Sequence, residues 1–194
     1  MVQLPALGLG AYDVTDMDQN GFVIVAGEAA EGAYVSAAAV ARVHVASKSV
    51  VSFLLPEPTD GMSLDAASNA YNVNQAGTIV GAANVFEGAL DNNHRVSKPC
   101  RWLPDGNGYR HQQLPLLVGH NDGEVRNIHE LGWMIGIGTL NVTGSAAIWS
   151  PNGLDVFAVE SALPPDSGWS RMSVESINNL KQIVGSRHGR EKHP

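Results

Sequence analysis

The segment "TDMDQNG" at 15–21 places oxygen-bearing side chains at alternate positions ahead of a glycine. In a calcium-binding loop, Asp16, Asp18 and Asn20 would supply oxygen ligands, and Gly21 would allow the sharp bend. Such a loop also needs a carboxylate at its twelfth position, and glycine stands there in this chain. The spacing therefore matches only the first half of a calcium site, and a tight turn is the alternative interpretation of the same residues.

Other patterns that carry chemistry are weak. The segment 8–13 matches only half of a nucleotide-binding glycine motif, and Ser145 stands at a strand entry rather than in a nucleophile elbow. His120 and His129 flank a Gly/Asp-rich link, which favours surface histidines over a metal pair. Cys100 aligns with Ala147 on the strand that carries the tryptophan, which favours a small buried thiol over a nucleophile. We therefore assign no catalytic, cofactor-binding or metal-ligating residue from the sequence.

The acidic residues also fail to indicate hydrolysis. A glycosidase needs two carboxylates about 5–10 Å apart. The acidic side chains are predicted mostly in links and turns, without positional pairing, so the sequence favours binding over catalysis. A hydrolase that uses the same scaffold is the alternative. The residues considered are Asp60, Asp65, Asp105, Asp122, Glu124, Asp155 and Asp166.

Composition excludes several classes of protein. The formal net charge of −7 argues against a nucleic-acid-binding face, which needs a basic stripe. No apolar run approaches the roughly 18 residues of a membrane span, and the N-terminus has no basic region of the kind that begins a signal peptide. With 16% charged residues and 21 glycines, the 194-residue chain is predicted to form many short strands joined by turns.

An internal repeat organises the chain. Four segments align on one turn position, which is glycine in three of them and Lys181 in the last. Because Asn, Asp and Gly favour tight hairpins, each segment is predicted to be two strands around a turn. Lys181 should cost about 1 kcal/mol there unless the turn relaxes to another type. The aligned segments are 15–25, 71–81, 126–136 and 175–185, with turn residues Gly21, Gly77, Gly132 and Lys181.

Two further landmarks recur in the same order. A tryptophan closes a later apolar run, as Trp102 and Trp149, and is predicted to pack between units; the first repeat has 38–42 at that place without tryptophan. Trp133 and Trp169 are candidates for an exposed sugar- or peptide-binding face. A Leu-Pro pair introduces each unit, at Leu4-Pro5, Leu55-Pro56, Leu114-Pro115 and Leu163-Pro164. The predicted units are about 4–54, 55–113, 114–162 and 163–187, with 188–194 as a flexible tail.

Each unit is predicted to contain four short strands, the third with the tryptophan and the fourth running into the next Leu-Pro pair. An alanine-rich helix over 27–49 is the alternative in the first unit. The alternation of apolar and polar residues favours a strand over 39–46 and leaves 27–37 undecided. Residues 84–97 are predicted to be an inserted surface loop. The fourth unit is predicted to stop after its second strand.

These segments resemble the HAF-type repeats of bacterial, often predicted extracellular, proteins. The resemblance extends through about 3.5 units and lacks the His-Ala-Phe triplet. It implies a propeller-like fold, no catalytic residues and an extracellular location, although no signal peptide is predicted. We therefore predict an all-β protein, an incomplete or small β-propeller-like array of four-stranded units. It is predicted to bind an unknown protein or glycan without catalysis or cofactor. Truncation, partial ring closure and self-association through open sheet edges are the alternatives for the incomplete array.

Overall fold

The computed structural model describes 9–17, 22–30, 36–44, 47, 49–56, 68–86, 95–140, 143–167 and 172–187. Within these ranges the chain is all-β, as predicted, with one short 3₁₀ helix at Val159–Ala162. No helix in this part of the chain has the length and apolar character needed to cross a bilayer. The strands are β1 Leu9–Met17, β2 Phe22–Ala30, β3 Ser36–His44, β4 Ser49–Leu54, β5 Ser68–Val73, β6 Ile79–Phe86, β7 Arg95–Asp105, β8 Gly108–Gln113, β9 Asp122–Ile128, β10 Met134–Leu140, β11 Thr143–Trp149, β12 Val156–Ala158, β13 Met172–Ile177 and β14 Ile183–Arg187.

The strands form antiparallel sheets in simple chain order. Sheet A consists of β1–β4, sheet B of β5–β8 and sheet C of β9–β12, while sheet D contains β13 and β14 alone. Consecutive strands are neighbours in every sheet, so each connection is a hairpin or short loop. Two strands of the predicted fourth unit are described, and 188–194 lie outside the described residues. The repeat interpretation and the exact unit boundaries stay predictions.

The first hairpins of sheets B, C and D share one turn geometry. In each turn the fourth residue has a positive φ, namely +81° at Gly77, +84° at Gly132 and +61° at Lys181. Lys181 is the sole non-glycine residue with a positive φ among those described, so its turn does not relax and the predicted strain is present. The backbone amides of these residues donate to the carbonyls of Asn74, His129 and Asn178 at 2.9, 2.8 and 2.9 Å.

A β-bulge interrupts the first strand of every sheet at the same distance before the turn. In sheets B, C and D the residue opposite the bulge is glycine. A Cβ on Gly136 would lie less than 3 Å from the carbonyl oxygen of Glu124, and Gly81 and Gly185 meet the same obstacle at Asn69 and Ser173. In these three sheets the bulge therefore brings the two backbones together and excludes a side chain, whereas Val25 has this register in sheet A. The bulged residues are Thr15, Tyr71, Arg126 and Glu175.

The alternative helix over 27–49 is wrong for the described residues. β2 and β3 form a continuous antiparallel ladder from Phe22↔His44 to Ala30↔Ser36. The strand predicted at 39–46 is present as Ser36–His44. Strand pairing thus overrides the helix propensity of the alanines here, which is a weak preference.

Two other boundaries differ from prediction. The predicted loop 84–97 is too long, because β6 extends to Phe86 and pairs with β7 from Arg95 onward; 87–94 lies outside the described residues. The fourth strand of sheet C does not run into its Leu-Pro pair, since β12 ends at Ala158 and a 3₁₀ turn follows. Val159 is buried in that turn, which anchors the chain to the core in place of a longer strand.

The core lies between consecutive sheets, which stack in chain order. β5 packs on β1–β3, β9 across β5–β7, and β13 across β9–β11. Val80 from sheet B joins Met134 and Trp149 of sheet C in one buried cluster. Ile135, on the other face of sheet C, packs with Val174 from sheet D. Sheets B, C and D thus bury their side chains in several clusters rather than in a single central core.

The Leu-Pro and tryptophan landmarks are joined by a hydrogen bond. The indole Nε1 of Trp102 donates to the carbonyl of Pro56 at 2.8 Å, and that of Trp149 to Pro115 at 2.7 Å. Both indoles are fully buried. Trp149 shares its cluster with Val80 of sheet B, as predicted for packing between units, whereas the cluster of Trp102 lies within the predicted unit 55–113. In sheet A the tryptophan register is held by Val43, paired with Val23, so the aligned stretch 38–42 falls one residue short.

Candidate functional site

Polar side chains from two sheets meet where the bulged first strands run side by side. The hydroxyl of Tyr71 on β5 donates to Oε2 of Glu124 on β9 at 3.2 Å. Nε and Nη2 of Arg126 contact Oε1 of the same carboxylate at 2.7 and 2.6 Å. Tyr71 and Arg126 are both bulged residues. We call Tyr71, Glu124 and Arg126 the bulge cluster.

The bulge cluster is half-open to solvent. The Arg126 side chain is 44% exposed and that of Glu124 is 23% exposed. Burial raises the pKa of Tyr71 to about 12, with further upward contributions from the charge and the hydrogen bond of Glu124. Arg126 acts in the opposite direction on the same pKa. The cluster therefore offers a neutral hydroxyl, a carboxylate and a guanidinium side by side at neutral pH.

Tyr71→Phe should make stability less sensitive to high pH. Because the folded pKa lies above the ordinary 10.0, the contribution of Tyr71 is full below about pH 10 and is lost as the pH rises through about 12. Urea unfolding of wild type and Y71F between pH 8 and 12 measures this. The other titrating groups are common to both chains, so the difference reports Tyr71. Parallel stability–pH curves would contradict the assignment.

The cluster contains one carboxylate, and that carboxylate already accepts bonds from two donors. The prediction that acidic residues fall mostly in links and turns is wrong for Asp122 and Glu124, which lie on β9, and for Asp105, which ends β7. Asp122 accepts the backbone amide of Ser97 at 2.5 Å, so it is committed to joining sheets B and C. The arrangement is thus suited to holding hydrogen-bonding partners, whereas glycoside hydrolysis needs a second carboxylate.

A serine–histidine contact occurs on sheet C. Oγ of Ser145, at the start of β11 as predicted, lies 3.1 Å from Nε2 of half-buried His120. Nδ1 of the same ring lies 3.2 Å from the carbonyl oxygen of Val118. A carbonyl there fixes the tautomer with the proton on Nδ1, which leaves Nε2 to accept from the serine hydroxyl. This geometry matches two members of a nucleophile–base–orienter set, with a backbone oxygen in place of the usual carboxylate.

His129 is not a surface residue, contrary to prediction. It is 2% exposed and occupies the turn position that is Asn74 in sheet B and Asn178 in sheet D. Its Nδ1 accepts the backbone amide of Leu131 at 2.8 Å, while its Nε2 is buried without a partner. The imidazole therefore accepts a backbone amide of the turn, as a turn asparagine would, and its Nε2 has no hydrogen-bond partner among the described residues.

His129→Asn should raise the free energy of unfolding by about 1 kcal/mol, because Asn supplies the acceptor and removes the orphaned buried nitrogen. The precedent is Asn178, whose Oδ1 accepts the amides of Leu180 and Gln182, both at 2.9 Å. His129→Ala is the matched control and should be destabilising, since the Leu131 amide then loses its acceptor. Chemical unfolding measures both. Equal losses in the two variants would refute this view of the turn.

The described residues contain no cluster of metal-ligating side chains. Among the residues that the structure describes, no group of three or more His, Cys, Asp or Glu could hold a metal ion. The calcium hypothesis is untested, because Asp18, Asn20 and Gly21 lie outside those residues and only the backbone of Asp16 is described. Cys100 is fully buried in the core cluster of sheet B, as predicted for a small core thiol.

The structure describes one of the two tryptophans that were predicted as candidates for an exposed binding face. Trp133 is half-buried against the cluster of Ile135, with Nζ of Lys181 6.0 Å from its ring centroid. It therefore packs between sheets C and D rather than standing free. Trp169 lies outside the described residues.

Arg101 is a buried cation that sequence analysis missed. Its Nη1 and Nη2 donate to the carbonyls of Pro151 and Asn152 at 2.7 and 2.8 Å, and its Nε donates to Gln112 at 3.0 Å. Burial lowers the pKa of Arg101, and nearby Arg110 lowers it further. These acceptors are neutral, so none of the three bonds is an ion pair. The side chain links β7 of sheet B to the loop that follows β11 of sheet C. The sequence signal for its burial was its position between Cys100 and Trp102 in a mostly apolar run.

Comparison with protein-family models, with curated proteins and with solved structures found no match to the chain. The functional argument therefore depends on the geometry described above.

Proposed function

We propose that the chain is a non-enzymatic, β-propeller-like repeat module that binds a protein or glycan through the bulge cluster. The repeat interpretation is supported by the shared turn geometry, the bulge at one register in all four sheets and the glycine opposite it in three. Chain-order stacking of the sheets is compatible with a propeller-like array.

The observation that carries the proposal is the contact between Tyr71 and Glu124 across two sheets. Bulges re-aim side chains and are common beside functional sites. Tyrosine and arginine are enriched where proteins bind partners, because each combines a large contact surface with directional hydrogen bonds. A half-exposed Tyr–Glu–Arg cluster on a framework of stacked sheets therefore favours recognition of a polar ligand.

Glycan and peptide arrays probed with the labelled full chain test this function. Arg126→Gln should lower the array signal at least about tenfold, the loss expected for a charged hydrogen bond in a binding surface. Arg110→Gln is the matched control, since Arg110 is exposed on β8 outside the bulge cluster. Signals that survive in R126Q, or fall equally in R110Q, would overturn the proposed site.

A hydrolase is the second candidate, and the Ser145–His120 contact is the observation that favours it. A fluorophosphonate probe tests it: Oγ of Ser145 would bond to phosphorus, fluoride would leave, and Nε2 of His120 would take the hydroxyl proton. The binding proposal expects no label on the chain. Labelling that is lost in Ser145→Ala and in His120→Asn would support the hydrolase instead.

A further inference from the structure

In the part of the chain that the structure describes, sheet D has an open edge at its second strand. Among the described residues β14 pairs with β13 alone. In sheets B and C the corresponding strands, β6 and β10, pair on their other side with the strand that carries Trp102 or Trp149. An unpaired row of backbone donors and acceptors is a template for another strand.

The residues of β14 reproduce the surface that receives the tryptophan strand. Ile183 follows the turn at the same register as Ile79 and Met134, the residues that face the tryptophans of sheets B and C. Ile79 and Met134 are 1% and 0% exposed, whereas Ile183 is only half-buried. Burial of the rest of this apolar side chain is favourable, so the edge gains by receiving a strand.

The strand registers of sheets B and C indicate which sequence would fit beside β14. In sheet B, Ile79 faces Trp102 and Gly81 faces Cys100. In sheet C, Met134 faces Trp149 and Gly136 faces Ala147. Both incoming strands thus read small–x–Trp, antiparallel to the strand that they join. On β14 the corresponding residues are Ile183 and Gly185.

An acceptor for the indole also stands nearby. Leu163 packs against the cluster between sheets C and D, as Leu114 does between sheets B and C. Pro164 follows it, as Pro115 follows Leu114, and Pro115 is the carbonyl that binds Trp149. The Pro164 carbonyl accepts the amide of Ser167 at 3.0 Å, and a carbonyl oxygen has a second lone pair for an indole N–H.

We infer that the edge of β14 binds an extended small–x–Trp strand of another polypeptide, antiparallel, with the tryptophan opposite Ile183 and the small residue opposite Gly185. Backbone hydrogen bonds along β14 supply affinity, and the indole site beside Leu163 supplies selectivity. The site is separate from the bulge cluster, so its success or failure leaves the proposed function unaffected.

A synthetic peptide with the sequence of residues 143–151, TGSAAIWSP, is the probe, added to the full chain in calorimetry and in amide hydrogen exchange. We expect saturable one-site binding and new protection confined to the amides of β14. Arg126→Gln protein should bind the peptide as wild type does, because the bulge cluster takes no part.

Peptide variants serve as controls, since they cannot unfold the protein. A Trp149→Phe peptide should bind about tenfold more weakly, the equivalent of one hydrogen bond. A Trp149→Ala peptide should show no saturable binding. A scrambled peptide that binds equally well, protection at another sheet edge, or no binding at millimolar peptide would each overturn the inference.

Discussion

Gly136→Ala will destabilise the protein by about 3 kcal/mol or more, the range of severe overpacking. The added Cβ would lie less than 3 Å from the carbonyl oxygen of Glu124, which belongs to the backbone and cannot swing aside. The chain can relieve this clash only by losing the bulge at Arg126. Loss of the bulge would shift the register of β9 and flip its side chains across the sheet.

Gly108→Ala is the matched control for that substitution. The nearest atom to a Cβ on Gly108 is the carbonyl oxygen of Asp105, at 3.9 Å, an ordinary contact. We expect a change within about 1 kcal/mol. Urea unfolding followed by circular dichroism compares the two variants. Similar losses in both would show that the backbone contact at Gly136 is not what excludes a side chain.

Trp149→Ala should cost about 3–5 kcal/mol, as expected for removal of a large aromatic side chain from a core. The indole is fully buried between Val80 of sheet B and Met134 of sheet C, so the cavity opens between two sheets. Trp149→Phe separates the polar part of this effect. It keeps most of the apolar surface but leaves the Pro115 carbonyl without its donor, at a cost of about 1–2 kcal/mol.

Circular dichroism is the readout for the tryptophan variants, because fluorescence would change with the mutation itself. Trp133→Phe is the control: Trp133 is half-buried and its nitrogen is not needed to link a Leu-Pro pair. We expect a smaller loss there than in Trp149→Phe. A larger loss of stability in Trp133→Phe than in Trp149→Phe would mean that the hydrogen bond from Trp149 to Pro115 contributes little to stability.

The turns were predictable because their chemistry is local. A positive φ calls for glycine, and Asn74 and Asn178 bond their own turns, so the aligned letters marked hairpins that the structure contains. The bulges were not predictable in the same way. Their residues share no type, since Tyr71, Arg126 and Glu175 differ in every property, and only the glycine across the ladder gave a signal.

The candidate site could not be predicted because it depends on how sheets stack. Tyr71 and Glu124 are 53 residues apart, and their contact exists only because β9 packs across β5. Glu124 was placed in a link for lack of any strand pattern around it. His129 was placed on the surface from its residue type, whereas its turn position decides its burial. Long-range packing set both outcomes.

The order of stacking has a consequence for how the molecule opens. Among the described residues, sheets B and C each pack against a neighbouring sheet on both faces, and sheet D packs against sheet C. Cooperativity should then propagate only between adjacent layers, as in a linear chain of coupled elements. Local unfolding should start at the β13–β14 hairpin and leave the other sheets folded. Unfolding of sheet C, in contrast, would remove the surface on which that hairpin packs.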